Sequence, residues 1–456
     1  MRKILILGAG HSAPFLIHYL LEQAAALDAS VTVADADEDA ARRRVGNHER
    51  GRAVALDIND HAALDAELAD ASVVVHMLPP RFQAEIARRA LAAGVHMVSA
   101  SYRADDVASL DDDARARGVA LLTELGLDPG IDLMSAQRLI EEIRERGGRV
   151  DRFLSYGGGL PDKSFRGNPL RYCITWNPRN VAMSGEHGAQ YLRRGRIHLE
   201  PRHRVFPAHW PVEVPGLGRL DGYANRDSIA YREVHGLEHV RTLVRGTLRW
   251  PGYCDVWDLI VRLGLPTEDL HVPHLQERTW AELTTMFLPH SQDTAPGVLR
   301  ERVARLLGVE SDDRRLDVLE WLGIFSERRV GGRGDRPADG LAALLEERLP
   351  LPPGVRDLVV LHHEIDARVP SKSAGRLVVE RTHSTFVCHG EPNGFTAMAR
   401  TVGLPAALGV RLLLEGRLSR RGCLGPTDPE IFHPVLDALE AEGLRFEEQS
   451  APIDGG

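Results

Sequence analysis

The chain has 456 residues, 43% hydrophobic and 27% charged, with a formal net charge of −9. That is the composition of a globular protein of two or three domains, and its interspersed acids and bases leave no basic footprint, so no nucleic-acid partner is expected. Cys173, Cys254, Cys388 and Cys423 form no CxxC pair, which argues against a disulfide scaffold or a cysteine zinc site and fits a reducing, cytoplasmic setting.

In chain order, "KILILGAG" is a continuous apolar strand entering a glycine turn, and "SAPFLIHYLLEQAAAL" has the spacing of a helix. The opening run is too short for a signal peptide and is broken by glycines, a histidine and a proline. "SVTVADA" is a strand ending in acids, "AVALDIND" a third strand, "HAALDAELAD" a helix and "ASVVVHMLPP" a fourth strand. "RFQAEIARRALAAG" is a helix, "VHMVSASY" a fifth strand and "GVALLTELGL" a sixth. Continuous apolar strands separated by helices predict an α/β fold with a parallel sheet buried on both faces. From Asp151 to about Trp250, short strands mix with loops rich in proline and glycine, and helical patterns dominate from about Gly252 to Leu349. "RDLVVLHHEIDA" and "GRLVVERTHSTFVCHG" read as strands, and "GFTAMARTVGLPAALGVRLLLEG" and "EIFHPVLDALEAEG" as helices. No segment is read as long enough to span a bilayer, so no membrane partner is expected.

Gly8-Ala9-Gly10-His11-Ser12-Ala13 has the form G-x-G-x-x-A between a strand and a helix, the context in which it binds a dinucleotide. Gly8 permits the tight turn, Gly10 lets the backbone approach a pyrophosphate, and Ala13 allows close helix–strand packing. Asp35, at the end of the second strand, is placed to accept hydrogen bonds from the adenosine ribose and to repel the extra phosphate of NADP. Asp57 is read as ending the third strand, while Ser99 and Ser101 close the fifth on the nicotinamide side. Asp128 follows the sixth strand in "ELGLDPGIDLM", before Pro129 and Gly130. Asp before Pro suits a helix cap, with Pro129 at the first helical position and Ile131, Met134, Leu139, Ile140 and Ile143 on one face. Its place beyond the carboxyl end of a strand also points to chemistry, so Asp128 is expected to be both cap and catalytic group.

The stretches "ELGLDPGID", "FLSYGGGLP", "NPLRYCITWNPRN", "NRDS", "VRGTLRWPGY" and "NGFTAMARTVGLPAALGVRLLLEGRLSRRGCLGP" resemble the glutamate-forming saccharopine dehydrogenases. "EWLGIF" and the C-terminal run look closest to the catabolic form, the second half of the animal aminoadipate-semialdehyde synthase. The resemblance implies a Rossmann domain over 1–127 completed by 390–456. It implies a mixed α/β substrate and dimerisation domain over 128–251 and 350–389, and a small all-helical domain over 252–349. It implies a homodimer, saccharopine as substrate, and oxidation of the carbon–nitrogen bond on its lysine side. By similarity, saccharopine would touch Ser99, Ala100, Asp128, Arg226, Thr247, Leu248 and Arg249. The cofactor would touch His11, Ser12, Ala13, Pro14, Asp35, Ala36, Asp37, Asp57, Ile58, Met77, Val98, Ser99, Leu127, Asp128, Pro129, Gly130, Ile131 and Asp132. Tyr102 is a second acid/base candidate beside Asp128.

The chain departs from the family pattern twice. Gly157 stands where the family's Ser-Tyr-Cys-Gly-Gly loop has cysteine, so a thiol there is not required. Asp35-Ala36-Asp37 stands where NADP-using fungal relatives carry Cys-Arg-Thr, which moves the expected cofactor to NAD, with NADP possible through Arg42, Arg43 and Arg44. His362 and His363 alternate along a strand without a ligand-spaced partner in sequence, and no metal is expected. The competing readings are a related carboxynorspermidine or homospermidine synthase, and a protein that senses NAD without turnover.

Overall fold

The computed structural model describes residues 1–289, 296–371 and 376–453. The expected strand start at Gly375 lies outside them. The chain divides into two compact units: Met1–Arg149 with Ala367–Glu380 and Phe386–Gly456, and Val150–Asp366 with Arg381–Thr385.

The first unit is built on β1 (Arg2–Leu7), α1 (Pro14–Gln23), β2 (Ala29–Asp35), α2 (Glu38–Val45), β3 (Gly51–Ala55), α3 (His61–Leu68), β4 (Val73–His76), α4 (Gln83–Ala93), β5 (His96–Ser99) and β6 (Ala120–Leu122). Its seven strands lie in the order Gly422–Leu424, β6, β5, β4, β1, β2, β3, all parallel. The order reverses between β1 and β4, which opens a crevice at the carboxyl edge. Apolar residues alternate to both faces of β1: Leu5 and Leu7 join a core with Leu64 and Leu68 of α3 and Ile86 and Leu91 of α4. Ile4 and Ile6, on the other face, are equally buried. Each such side chain contributes about 1.5–3 kcal/mol by leaving water.

One helix, Ala397–Leu414, is long and apolar enough to meet the bilayer-length criterion, contrary to the expectation from sequence, but 78% of it is buried. It packs along α1, and a Cβ at Gly403 would lie 2.8 Å from the Leu16 nitrogen. It is the covering helix of a core rather than a lone apolar span. The helix Ile131–Glu145 belongs to this unit, and the five expected apolar positions of its inner face are all buried.

The second unit has a mixed sheet in which Trp210–Val214, Gly218–Ala224, Thr242–Arg249 and residues 150–161 are successive neighbours, followed by residues 357–366 and 381–385. Thr242–Arg249 runs antiparallel to Gly218–Ala224 and parallel to Arg149–Pro161. The helices Tyr253–Leu263, Trp280–Met286, Pro296–Leu307, Arg314–Leu322 and Pro337–Arg348 cluster with this unit.

Candidate active site

The glycine loop behaves as its motif requires. Gly8 has φ +107, its N–H donates to the Ala34 carbonyl at 2.8 Å, and a Cβ there would lie 3.1 Å from the Met77 carbonyl group. Around Gly10, by contrast, there is open space within 4 Å of a notional Cβ, which is room for a ligand. Ala13 precedes α1 without a side-chain cap, and Pro14, the first helical residue, has no N–H, so the N–H groups that follow it at that end receive no side-chain cap. A pyrophosphate is the complement of such a loop and helix start. His11 and Ser12 lie in the same loop. The residues present therefore fit a dinucleotide.

Asp35 is fixed by that loop: Ala9 N–H donates to its Oδ2 at 2.8 Å and Asp37 N–H to its Oδ1 at 2.9 Å. Asp37 in turn caps α2, accepting from Ala40 N–H at 3.1 Å, with Ala36 exposed between the two acids. Of the three arginines on α2, Arg42 pairs with Glu38, Arg43 with Asp37, and Arg44 reaches the loop, its Nε 3.4 Å from the Ala9 carbonyl oxygen. β3 ends at Ala55, so Asp57 lies in the loop after it, accepting from the Asn59 backbone N–H at 2.9 Å, with Ile58 half-buried beside it. Met77 follows β4 and hydrogen-bonds back to Leu7, and Val98 is fully buried in β5.

At the ends of β4 and β5 sits a buried polar network that the motifs did not reveal. Ser99 Oγ lies 3.1 Å from His76 Nδ1 and accepts from Gln83 Nε2 at 3.0 Å and from Ser101 N–H at 3.2 Å. Burial pushes the His76 pKa down to about 4. This network holds the Ser99–Ala100 corner rigid. The signal in sequence was a histidine ending the apolar run "VVVH" at the carboxyl edge, where a polar residue has no reason to be buried unless it is bonded.

Asp128 corrects an expectation. It is not the helix cap, and Pro129 is not the first helical residue. The helix begins at Ile131 after Gly130, and the Gly130 N–H donates to Asp132 Oδ1 at 2.8 Å. The Asp128–Pro129 peptide is cis, and Gly130 has φ +147 with a notional Cβ only 2.0 Å from the Gly126 oxygen. Only glycine closes that turn, which separates Asp128 from the helix start. The half-buried Asp128 carboxylate instead accepts a hydrogen bond from Tyr102 Oη at 2.8 Å. Leu127 and Ile131 flank the turn as buried apolar residues.

In the second unit Thr247, Leu248 and Arg249 end the strand Thr242–Arg249. Arg249 is 4% exposed, and no carboxylate pairs with it among the described residues. Its Nη1 donates to the Leu248 oxygen at 2.9 Å, and its Nε has no partner. The guanidinium lies 5.0 Å from the Tyr172 ring centre and 5.2 Å from that of Tyr253. Burial disfavours its charge, but with Tyr223, Tyr172 and Tyr253 around it the pKa stays above the ordinary arginine value. Burial also pushes the Tyr223 phenol up to about 12, so it remains neutral. The tyrosines were not legible beforehand, because they reach Arg249 from separate elements. Arg226 is exposed, at φ +55, in a short strand paired with Ala189.

The chain matches two sequence families, "Saccharopine dehydrogenase NADP binding domain" over residues 4–122 and "Saccharopine dehydrogenase C-terminal domain" over residues 126–444. The chain belongs to the saccharopine dehydrogenase family. Among its relatives, "Saccharopine dehydrogenase [NADP(+), L-glutamate-forming]" of Schizosaccharomyces pombe is 30% identical over 98% of this chain and 99% of its own. "Alpha-aminoadipic semialdehyde synthase, mitochondrial" of Bos taurus is 33% identical over 98% of this chain, which spans only 48% of that longer protein. The apo saccharopine dehydrogenase (L-Glu forming) of Saccharomyces cerevisiae superposes with a TM-score of 0.83 at 29% identity, covering 99% of this chain and 100% of the other. Homospermidine synthase of Legionella pneumophila, at 11% identity and a TM-score of 0.54, shares the fold alone. The glycine loop of the first unit falls within the stretch that matches the NADP-binding-domain family.

Proposed function

We propose that this protein oxidises saccharopine, in lysine metabolism, to L-glutamate and 2-aminoadipate 6-semialdehyde. The observation that carries the reading is Arg249, a buried guanidinium without a carboxylate partner in a chain similar throughout to glutamate-forming saccharopine dehydrogenases. An uncompensated buried charge costs several kcal/mol, and a planar carboxylate is the ligand that matches its fork. Saccharopine brings three carboxylates.

A nicotinamide dinucleotide, when bound, supplies the hydride acceptor. The protein's own groups do the rest. Loss of hydride leaves a carbon–nitrogen cation on the substrate, and the Asp128 carboxylate stabilises that charge. Water then adds to the carbon, Asp128 takes its proton, and the carbon–nitrogen bond breaks with the nitrogen leaving on glutamate. The Tyr102 hydroxyl orients the carboxylate through its hydrogen bond. Absorbance of the reduced nicotinamide, followed with purified protein, saccharopine and either cofactor, tests the reading. No reduction of either cofactor despite tight dinucleotide binding would favour a sensing role, and turnover of polyamines instead would favour the homospermidine-synthase-like alternative.

Arg226→Ala and Arg249→Ala are each expected to weaken saccharopine binding at least tenfold while dinucleotide binding stays unchanged. A hydrogen bond to a charged group contributes about 1.5–3 kcal/mol. Calorimetric titration of both ligands checks this, and parental saccharopine affinity in both variants would remove the arginines from the site.

For the cofactor, the fungal relatives' names carry NADP(+), whereas this chain's second strand ends in acids. The anchored Asp35 charge would repel each unit of a 2′-phosphate charge about 4 Å away by about 4 kcal/mol at an effective dielectric of 20. Screening reduces this, but about 1.4 kcal/mol surviving is already tenfold. NAD is therefore expected to exceed NADP at least about tenfold in kcat/KM, a surviving 1.4 kcal/mol. Asp35→Ser with Ala36→Arg should shift the ratio toward NADP. Equal or better use of NADP by the parent would mean that Arg44, beside Ala9, already serves the phosphate.

A further inference from the structure

His362 and Glu364 lie two apart on the strand Asp357–Ser371 and so share a face, and His383 reaches them from the neighbouring strand Arg376–His389. One donor atom from each of the three lies within 4.8 Å of the other two. The two imidazole rings face each other at 5.6 Å with 19° between planes. His362 has 0% of its surface exposed, and its Nδ1 lies 2.9 Å from Thr385 Oγ1. Among the described residues its Nε2 is buried without any hydrogen-bond partner, and so is His383 Nδ1. A buried imidazole nitrogen left unsatisfied costs about 1–3 kcal/mol, so one on each of two facing rings calls for a ligand.

We propose that His362, His383 and Glu364 bind one divalent transition-metal ion, with zinc the cation whose chemistry fits best. Two imidazoles and a carboxylate are a common zinc donor set, with a fourth position left to water. Thr385 Oγ1 can accept the Nδ1 proton of His362, which directs the Nε2 lone pair outward; such partners orient metal-binding histidines generally. Glu364 keeps a free oxygen for the ion, since Arg152 Nη2 engages Oε2 alone, at 2.9 Å. Arg152 Nη1 faces Asp366 Oδ1 at 3.6 Å, and Arg381 grips Asp366 through both oxygens. The surrounding charges are thus paired before the ion arrives, and Glu364, 16% exposed, gives it a route in. Zinc–ligand bonds of about 2.0–2.2 Å require the donors to close to about 3.3 Å, by rotation of the half-buried His383 and Glu364 side chains.

The test uses the full chain, stripped with EDTA and titrated with zinc chloride against a chromophoric chelator, with thermal unfolding as a second readout. The parent is expected to take up one zinc ion per chain and to unfold at a higher temperature with zinc than without. His383→Gln and Glu364→Gln, at half-buried positions, should fold and lose at least about tenfold in zinc affinity, since removing even an outer partner costs about 10–100-fold. His18→Gln, at an exposed histidine on α1, should bind as the parent does. Equal zinc affinity in the parent and in His383→Gln and Glu364→Gln, or no zinc-dependent rise in unfolding temperature, would overturn the site.

Discussion

Asp128→Asn is expected to keep the fold and to lower turnover of saccharopine by about 10²–10⁴-fold, the usual worth of a positioned acid or base. The carboxylate sits beyond the carboxyl end of β6, at the edge where ligands of parallel sheets bind. Asparagine retains the Oδ1 that accepts the Tyr102 hydroxyl hydrogen bond. It removes the negative charge that would stabilise a cationic intermediate and the basicity that would take a proton from water. The helix start is untouched, since Gly130 N–H donates to Asp132 and Ile131 N–H to the Gly126 oxygen, neither to Asp128. Circular dichroism and urea unfolding should therefore superpose on the parent while kcat falls. Tyr102→Phe should lose less, because it frees the carboxylate without discharging it. Near-normal turnover in folded Asp128→Asn would leave the residue no role in the chemistry.

How far the sequence carries depends on the range over which each feature is encoded. The parallel sheet was legible because each strand of "KILIL", "VVVH" and "ALL" is apolar on both faces, a pattern written within a few residues. The glycine loop was legible for the same reason, its turn, cradle and helix start lying in one run of six residues. Asp128 shows the limit of local rules. Asp-Pro before an amphipathic helix satisfies every capping preference, yet Gly126 and Gly130 close a turn so tight that the helix starts two residues later. The cap rule competed with a backbone contact four residues apart, and the contact won. Arg249 with Tyr172, Tyr223 and Tyr253, or His362 with His383, are constellations assembled across strands and helices distant in sequence. No periodicity within one segment encodes them. Similarity to the family singled out Arg249, but that no carboxylate among the described residues pairs with it emerges only from the fold.

His76 should make the protein's stability depend on pH between about 7 and 5. The side chain is fully buried, and desolvation depresses its pKa to about 4, below the ordinary histidine value. The unfolded chain then binds a proton in the window between about 6.5 and 4 that the folded chain refuses, so stability rises with pH there and is lost as pH falls through it. With those two values, protonation of the unfolded state costs about 0.2 kcal/mol at pH 7 and about 2 kcal/mol at pH 5. Other buried groups add their own slopes, so the informative quantity is the gap between the parent and a variant that cannot titrate. His76→Asn places an amide near Nδ1, where the Ser99 hydroxyl lies 3.1 Å away, and carries no charge at any of these pH values. At pH 7 the variant should be the less stable of the two, because asparagine fills less of the site. The gap should shrink by about 2 kcal/mol as the pH falls to 5, since only the parent pays the protonation cost. Urea unfolding of both proteins at the two pH values measures it. A gap that stays constant would show that His76 titrates as in the unfolded chain, and a gap that widens would show that it is protonated in the fold; either would mean that the buried network at the ends of β4 and β5 is not the neutral hydrogen-bonded corner that holds Ser99.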